Sequence, residues 1–342
     1  MTSFQELPDV IVLNIFSYMS VKDLCKISRV CKSWRRIACD KTLWKHIDMT
    51  TCAYLDLRKV WKFYRTRLSD VLRSLKMVGY YSSKCGNEKQ KKQLLSDALL
   101  EEISSSCPFI EELHLYRFFL EKMSVKKLPA TLTHLKLREC AWPLGWLRDA
   151  ELQDLYSLDL GKTCRIGDME MGDVTKFSNL EELNLEELYR IGDNGVKILA
   201  ENLPNLKVLK LTQTKVSDLG VHHICRHMVS LTSLDLGYTQ IKDSAIDTLS
   251  QSLFKLNILG TAGTHVTDLG VRTLCFSKIA ENIKQLDISA TNITDSALND
   301  ISDKMINLEY LDVAICKLSR ENVDDMYNHL PKLINVNMGR GK

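Results

Sequence analysis

The sequence predicts an α/β chain in which a small all-helical unit is followed by a curved solenoid, with a parallel sheet on the concave side and helices on the convex side. Three observations predict it. The phrase L-x-x-L-x-L recurs along most of the chain at nearly constant spacing. A second phrase with a fixed aspartate recurs between its copies. The first fifty residues follow neither phrase and carry helical periodicity instead.

With 342 residues, 45% of them hydrophobic, the chain can build one large or two moderate domains. Lys+Arg 46 against Asp+Glu 43 leaves a formal charge of +3, far from the lopsided balance of a nucleic-acid or membrane-surface binder. From Val10 to Val21 the chain reads VIVLNIFSYMSV, without a formal charge. The preceding MTSFQELPD has no Lys or Arg, so the run lacks a secretory lead, and it is shorter than the roughly 20 residues that span a bilayer. The Cys 11 include no C-x-x-C pair, so neither a zinc site nor a redox motif is signalled and free thiols in the cytoplasm and/or nucleus are expected.

A first helix is expected from about Pro8, because proline fits a first turn. Val10, Ile11, Val12, Leu13, Ile15, Phe16, Tyr18 and Met19 leave it no broad polar face. Ser20 with Asp23 then resembles a capping box. Leu24, Ile27, Val30, Cys31, Trp34, Ile37 and Ala38 follow at three- and four-residue steps, which predicts one amphipathic helix. A unit of roughly 40 residues cannot shield both flanks of the first helix. Each large apolar side chain left in water forgoes roughly 1.5–3 kcal/mol, so either the chain's own repeats or a second polypeptide must cover it.

ELPDVIVLNIFSYMSVKDLCKISRVCKSWRRIACDKTLWKHIDM resembles an F-box over its whole length, through Leu7-Pro8, Ile15-Phe16, Asp23-Leu24, Val30-Cys31 with Trp34, and Leu43-Trp44. The resemblance implies docking on the Skp-type adaptor of SCF ubiquitin ligases and, through it, on cullin and RING subunits. It assigns Leu7, Pro8, Ile15, Phe16, Met19 and Leu24 to the adaptor contact. Met19 stands where leucine is usual, which keeps volume and apolarity. The expected divisions are an F-box over 1–49, a linker with a capping helix over 50–70, and repeats over 71–342.

The repeat centres Leu183, Leu209, Leu234, Leu259, Leu286, Leu311 and Val336 are spaced at leucine-rich-repeat distance, roughly 20–29 residues. Leu75, Leu113, Leu135 and Leu158 extend the series less regularly. The widest gap holds SSKCGNEKQKKQ, expected as a solvated loop between Tyr81 and Leu94, with a partner-contacting insertion as the alternative. Asp168, Asp193, Asp218, Asp243, Asp268 and Asp295 fall where helices should begin and are expected as their caps; in the last repeat Arg320 takes the place and the cap falls to Ser319. The repeats resemble the cysteine-containing, F-box-associated type, with Cys140, Cys164 and Cys316 near the usual cysteine position and Thr214, Thr239, Thr264 and Thr291 there elsewhere.

Alternation along each strand sends the leucines inward and lists the residues that face out. Early strands lean basic, with Lys76, His114, His134, Lys136 and Arg138; later ones lean acidic and small, with Asp235, Asp287 and Asp312 beside Gly237, Gly260, Ala262 and Ala314. His114, Tyr116, Lys136, Arg138, Asp159, Glu186, Lys210, Asp235, Asp287, Tyr310 and Asp312 are the candidate contacts for a protein substrate. The plainer alternative is that such polar residues only keep the sheet soluble.

His223 and His227 are set aside as a metal pair because Val221, Ile224, Cys225 and Met228 claim the apolar face of that helix. RKVWKFYRTRL, 58–68, is read as the helix joining the two regions, burying its aromatics, rather than as a nucleic-acid patch. No phosphate loop, G-x-S-x-G or H-E-x-x-H occurs, so no catalytic residue, cofactor or metal is expected. The resemblance implies a non-catalytic substrate-recognition subunit of an SCF-type E3 ubiquitin ligase, with no nucleic-acid or membrane partner. A protein-binding scaffold without ubiquitin transfer is the alternative, and a nucleic-acid binder along Lys76 to Arg138 a weaker one.

Overall fold

A computed structural model describes residues 7–52, 57–80, 95–163 and 165–339. It divides into two compact units, Met1–Leu155 and Tyr156–Lys342. The stretch between Tyr81 and Leu94, and Cys164, lie outside the described residues.

The first unit opens with α1 (Asp9–Ser17), α2 (Val21–Ile27) and α3 (Lys32–Ala38). Ser20 caps α2 as expected, accepting from the Asp23 N–H at 3.2 Å. The single helix expected across 20–38 is broken. The Ser28 hydroxyl donates to the Cys25 carbonyl at 2.8 Å, the N–H groups of Arg29 and Val30 close tight turns, and Cys31 goes extended to cap α3 with its sulfur. A serine bonding to its own backbone offers the chain an alternative to continued helix. The break leaves Val30 and Cys31 exposed, off the apolar face that the uninterrupted wheel assigns them.

Phe16, Leu24, Ile37, Ala38 and Trp44 form the core of this helical part. Phe16 meets the Trp34 ring edge-on at 5.7 Å, and the Trp44 indole donates to the Ala38 carbonyl at 3.0 Å. The chain then enters the sheet earlier than the repeats predict. β1 (His46–Asp48) pairs in parallel with β2 (Ser74–Val78), after which β3 (Glu112–Tyr116) and β4 (His134–Arg138) follow in chain order. Ile47, Leu75, Leu113 and Leu135 stand in one register line. Between β1 and β2, α4 (Leu57–Arg67) buries Val60 and Tyr64 and leaves Trp61 and Phe63 half-buried, so its aromatics are only partly enclosed. α5 (Asp97–Ser106) precedes β3 and is capped by Ser96.

In the second unit β5 (Ser157–Asp159), β6 (Glu182–Asn184), β7 (Val208–Lys210), β8 (Ser233–Asp235), β9 (Ile258–Gly260), β10 (Gln285–Asp287), β11 (Tyr310–Asp312) and β12 (Asn335–Asn337) are parallel and adjacent in chain order. The repeat centres from Leu158 to Val336 pair with one another without a slip. The returning helices are α6 (Met171–Val174), α7 (Asp193–Asn202), α8 (Asp218–His227), α9 (Asp243–Ser250), α10 (Asp268–Cys275), α11 (Asp295–Lys304) and α12 (Arg320–His329), each packed on the next. Strands repeat at about 4.8 Å whereas helices are about 10 Å across, so the stack bends within the unit with its sheet inside. Val221, Ile224, Cys225 and Met228 are buried on α8, with His223 and His227 at its half-exposed flank.

The repeated aspartates cap helices, but not their own. Each occupies the first turn of one element while its carboxylate reaches the start of the next repeat. Asp168 accepts from the Gly192 N–H at 2.8 Å, Asp243 from Thr267 at 2.8 Å, Asp268 from Thr294 at 2.7 Å and Asp295 from Ser319 at 2.9 Å. The local caps of α8, α10 and α11 are Ser217, Thr267 and Thr294, and Ser319 caps α12 as expected. The cysteine and threonine positions also serve the backbone: Cys140 bonds the Leu115 carbonyl at 3.4 Å, and Thr214 that of Leu211 at 2.7 Å.

Candidate protein-interaction surfaces

On α1, residues three and four apart share a face. Pro8, Ile11, Ile15 and Tyr18 therefore form one outward stripe, while Val12 and Phe16 point inward. Tyr18 is 85% and Val10 74% exposed, whereas Phe16 is fully enclosed. Of the residues assigned to the adaptor contact, Pro8 is exposed, Leu7, Ile15 and Met19 are half-buried, and Phe16 and Leu24 lie in the core. These two belong to the packed interior and are not available to a partner at the surface. Val10, Ile11, Tyr18 and Val30 add exposed apolar area beyond the assigned residues; the wheel spacing on α1 is the signal for Ile11 and Tyr18, whereas Val30 is exposed only by the break after α2. An Arg36–Asp9 ion pair at 2.6 Å ties α3 to the first turn of α1.

On the sheet of the first unit, Lys76, His114 and Lys136 occupy one register row, and Tyr116 and Arg138 the row above it. His114 is 6% exposed. Burial first, and then the ammonium groups of Lys136 and Lys76, push its pKa down to about 4, so the imidazole is neutral at physiological pH. Its ring stands edge-on to Tyr116 at 6.4 Å.

The second unit carries a groove of about 520 Å³ on its sheet, lined by Lys210, Asp235, Gly260, Asp287, Tyr310 and Asp312 among others. Five of the candidate substrate contacts thus meet in one place, with Ile258 and the partly exposed Tyr310 ring adding apolar wall. Asp159 and Glu186 do not line it, and Asp159 is buried. The aspartates have a second role that strand alternation does not reveal. Each closes an Asx turn at the end of its strand, Asp159 accepting from the Gly161 N–H, Asp235 from Gly237, Asp287 from Ser289 and Asp312 from Ala314, all at 3.0 Å. Burial raises the Asp287 pKa, opposed by its bonds to Ser289 and reinforced by the neighbouring Asp312 and Asp235 carboxylates. Gly260 keeps this floor open, since a Cβ there would lie 2.8 Å from the Asp235 carboxylate.

Among the described residues, no group of three His, Cys, Asp or Glu is placed to hold a metal, and no helix is long and apolar enough to cross a membrane.

An apolar helical platform followed by parallel leucine-centred strands with helical returns defines a leucine-rich-repeat protein with a helical N-terminal unit. Residues 4–50 match the F-box-like family. F-box/LRR-repeat protein 12 of Homo sapiens is 31% identical over 241 residues, covering 69% of this chain and 72% of that protein; the Mus musculus protein is 30% identical over the same shares. Lysine-specific demethylase 2B of Mus musculus is 28% identical over 202 residues, 58% of this chain but 13% of that one. A solved internalin from Listeria monocytogenes aligns at TM-score 0.48 and 19% identity, over 77% of this chain and 79% of its own. The chain belongs to the F-box/LRR-repeat family. Members are generally substrate receptors of SCF complexes, and the F-box generally binds a Skp-type adaptor.

Proposed function

We propose that this chain is the substrate receptor of an SCF-type ubiquitin ligase, recruiting target proteins for ubiquitination and proteasomal degradation while cullin and RING subunits are held through the adaptor. The single observation that carries it is the outward apolar stripe of Pro8, Ile11, Ile15 and Tyr18 on a helix whose opposite face is already filled. Such a stripe loses free energy in water and gains it under a second polypeptide. The sheet faces supply target contacts: cationic and aromatic on the first unit, acidic with Tyr310 and Ile258 on the second. The chain itself moves no atoms. Its contribution is effective concentration, which raises the rate at which a ubiquitin-loaded enzyme meets a bound lysine. This reading sets its work in the cytoplasm or nucleus, in keeping with nine described cysteines that stand as free thiols.

Affinity purification of the full chain tests the reading. Adaptor and cullin are expected with the wild type and are lost with Ile11→Asp plus Ile15→Asp, with circular dichroism unchanged. Undiminished recovery from that folded variant would exclude the docking mode.

A further inference from the structure

The row Lys76–His114–Lys136 places an imidazole between two ammonium-bearing strands, Lys76 opposite His114 and His114 opposite Lys136. Neighbouring strands lie about 4.8 Å apart, so the two lysines stand two strands apart on either side of a neutral imidazole. The His114 Nδ1 is buried and has no hydrogen-bond partner. An unpaired buried nitrogen carries a desolvation penalty that a bound partner would relieve. The strand does not need a histidine there for its core, which Leu113 and Leu115 supply; the same position holds Asp, Asn, Lys or Gly in the strands of the second unit. Nearby carboxylates accept hydrogen bonds from other groups. Asp48, next in the row, accepts from the Thr50 N–H at 2.9 Å and hydroxyl at 2.6 Å, and Glu112 accepts from the Ser74 hydroxyl at 2.8 Å. Neither Lys76 nor Lys136 forms an ion pair among the described residues.

Resting on the receptor reading above, we propose that this row is the seat of a phosphate monoester carried by the protein target. A phosphate ester brings about −1.5 to −2 charge and three acceptor oxygens, which matches two lysines and one imidazole N–H; a carboxylate would leave one cation uncompensated. Lysine stems are flexible and can move to admit a ligand, while the imidazole is carried on a strand paired on both sides. Four charged or titratable groups act on the ring, Lys76 from β2, Glu112 from β3, and Lys136 and His134 from β4. A bound dianion outweighs the lysines among them, so His114 takes up a proton as the site fills, and the seat becomes three donors aimed at one anion.

The test is a titration of the full chain, labelled with ¹⁵N at histidine, with inorganic phosphate at fixed ionic strength, followed by imidazole resonances. The expected result is a saturable shift at His114 with its pKa raised by at least about one unit, phosphate affinity at least about tenfold weaker in Lys76→Gln and in Lys136→Gln, and no change in Lys278→Gln, an exposed lysine of the other unit. Three results overturn it: no saturable shift beyond that of chloride, an equal effect from acetate, or tighter binding of an oligothymidylate, which would make the row a phosphodiester track. The wild-type titration decides the matter even if a variant fails to fold. No adaptor is present, so a negative result leaves the F-box reading standing, and loss of adaptor binding leaves the phosphate result standing.

Discussion

The Asp193 carboxylate accepts the backbone N–H of Ser217, one repeat further along the chain, at 2.8 Å. The same oxygen accepts from the Gly220 N–H at 2.9 Å, and the second oxygen from the Ser217 hydroxyl at 2.7 Å. One side chain thus satisfies donors at the start of α8 that have no intrahelical partner, and meets the positive end of that helix. Each repeat therefore carries the cap of its successor.

Asp193→Ala leaves those donors without their acceptor and is expected to cost about 1–3 kcal/mol. Urea unfolding monitored by circular dichroism measures it, and Asp193→Asn should recover part of the loss. Gly220→Ala alone puts a methyl 2.6 Å from the Asp193 carboxylate and 2.7 Å from the Val216 side chain; the Asp193→Ala background removes the first clash and leaves the second. The pair is expected to be less destabilising than the sum of the singles.

The two faces of α1 separate stability from binding. Phe16→Ala removes a fully enclosed ring and is expected to cost about 3–5 kcal/mol in unfolding free energy. Tyr18→Ala, at an exposed position, should leave the unfolding midpoint nearly unmoved while weakening adaptor affinity in a direct binding assay. An adaptor affinity unaffected by Tyr18→Ala would remove that residue from the contact.

His114 links stability to acid. Its folded pKa, about 4, lies below the ordinary 6.5, so between these values the unfolded chain binds a proton that the folded chain does not. Stability is then complete above pH 6.5 and falls as pH is lowered toward 4, by on the order of 2 kcal/mol at pH 4.5. Urea midpoints of wild type and His114→Gln should diverge across that window and run parallel above it.

Charge reversal on the first unit tests the target surface. Lys136→Glu with Arg138→Glu should weaken capture of acidic targets at least about tenfold and steepen off-rates, with adaptor recovery unchanged. Equal target recovery from wild type and variant would refute a charge-reading face.

Much of this architecture is legible in the letters. L-x-x-L-x-L has the period of a strand and repeats at a fixed distance, so Leu183, Leu209 and Leu234 could be aligned without coordinates, and they pair in that register. What escapes such reading depends on neighbours or on one local bond. A helical wheel continues through Ser28, because it does not contain the hydroxyl that bonds Cys25. An aspartate at a helix start reads as that helix's cap until the next repeat is stacked on it. Phe16 and Tyr18 are both aromatic residues in one apolar run, and only packing sends one in and the other out. Asp235 and Asp312 face outward as alternation requires, yet half their bonding capacity closes turns, which D-x-G and D-x-A encode more faintly than leucine spacing.

The short strand β1 has a mechanical meaning. It follows directly on the helices that bear the apolar stripe and is stitched by backbone bonds to β2, with Met49 donating to Lys76 and Arg73 to Lys45, each at 2.9 Å. The platform is thereby grafted onto the sheet without a swivel, so a partner gripping α1 would feel the first repeats as one stiff arm. Inserting slack after Lys45 should loosen aim before it loosens grip.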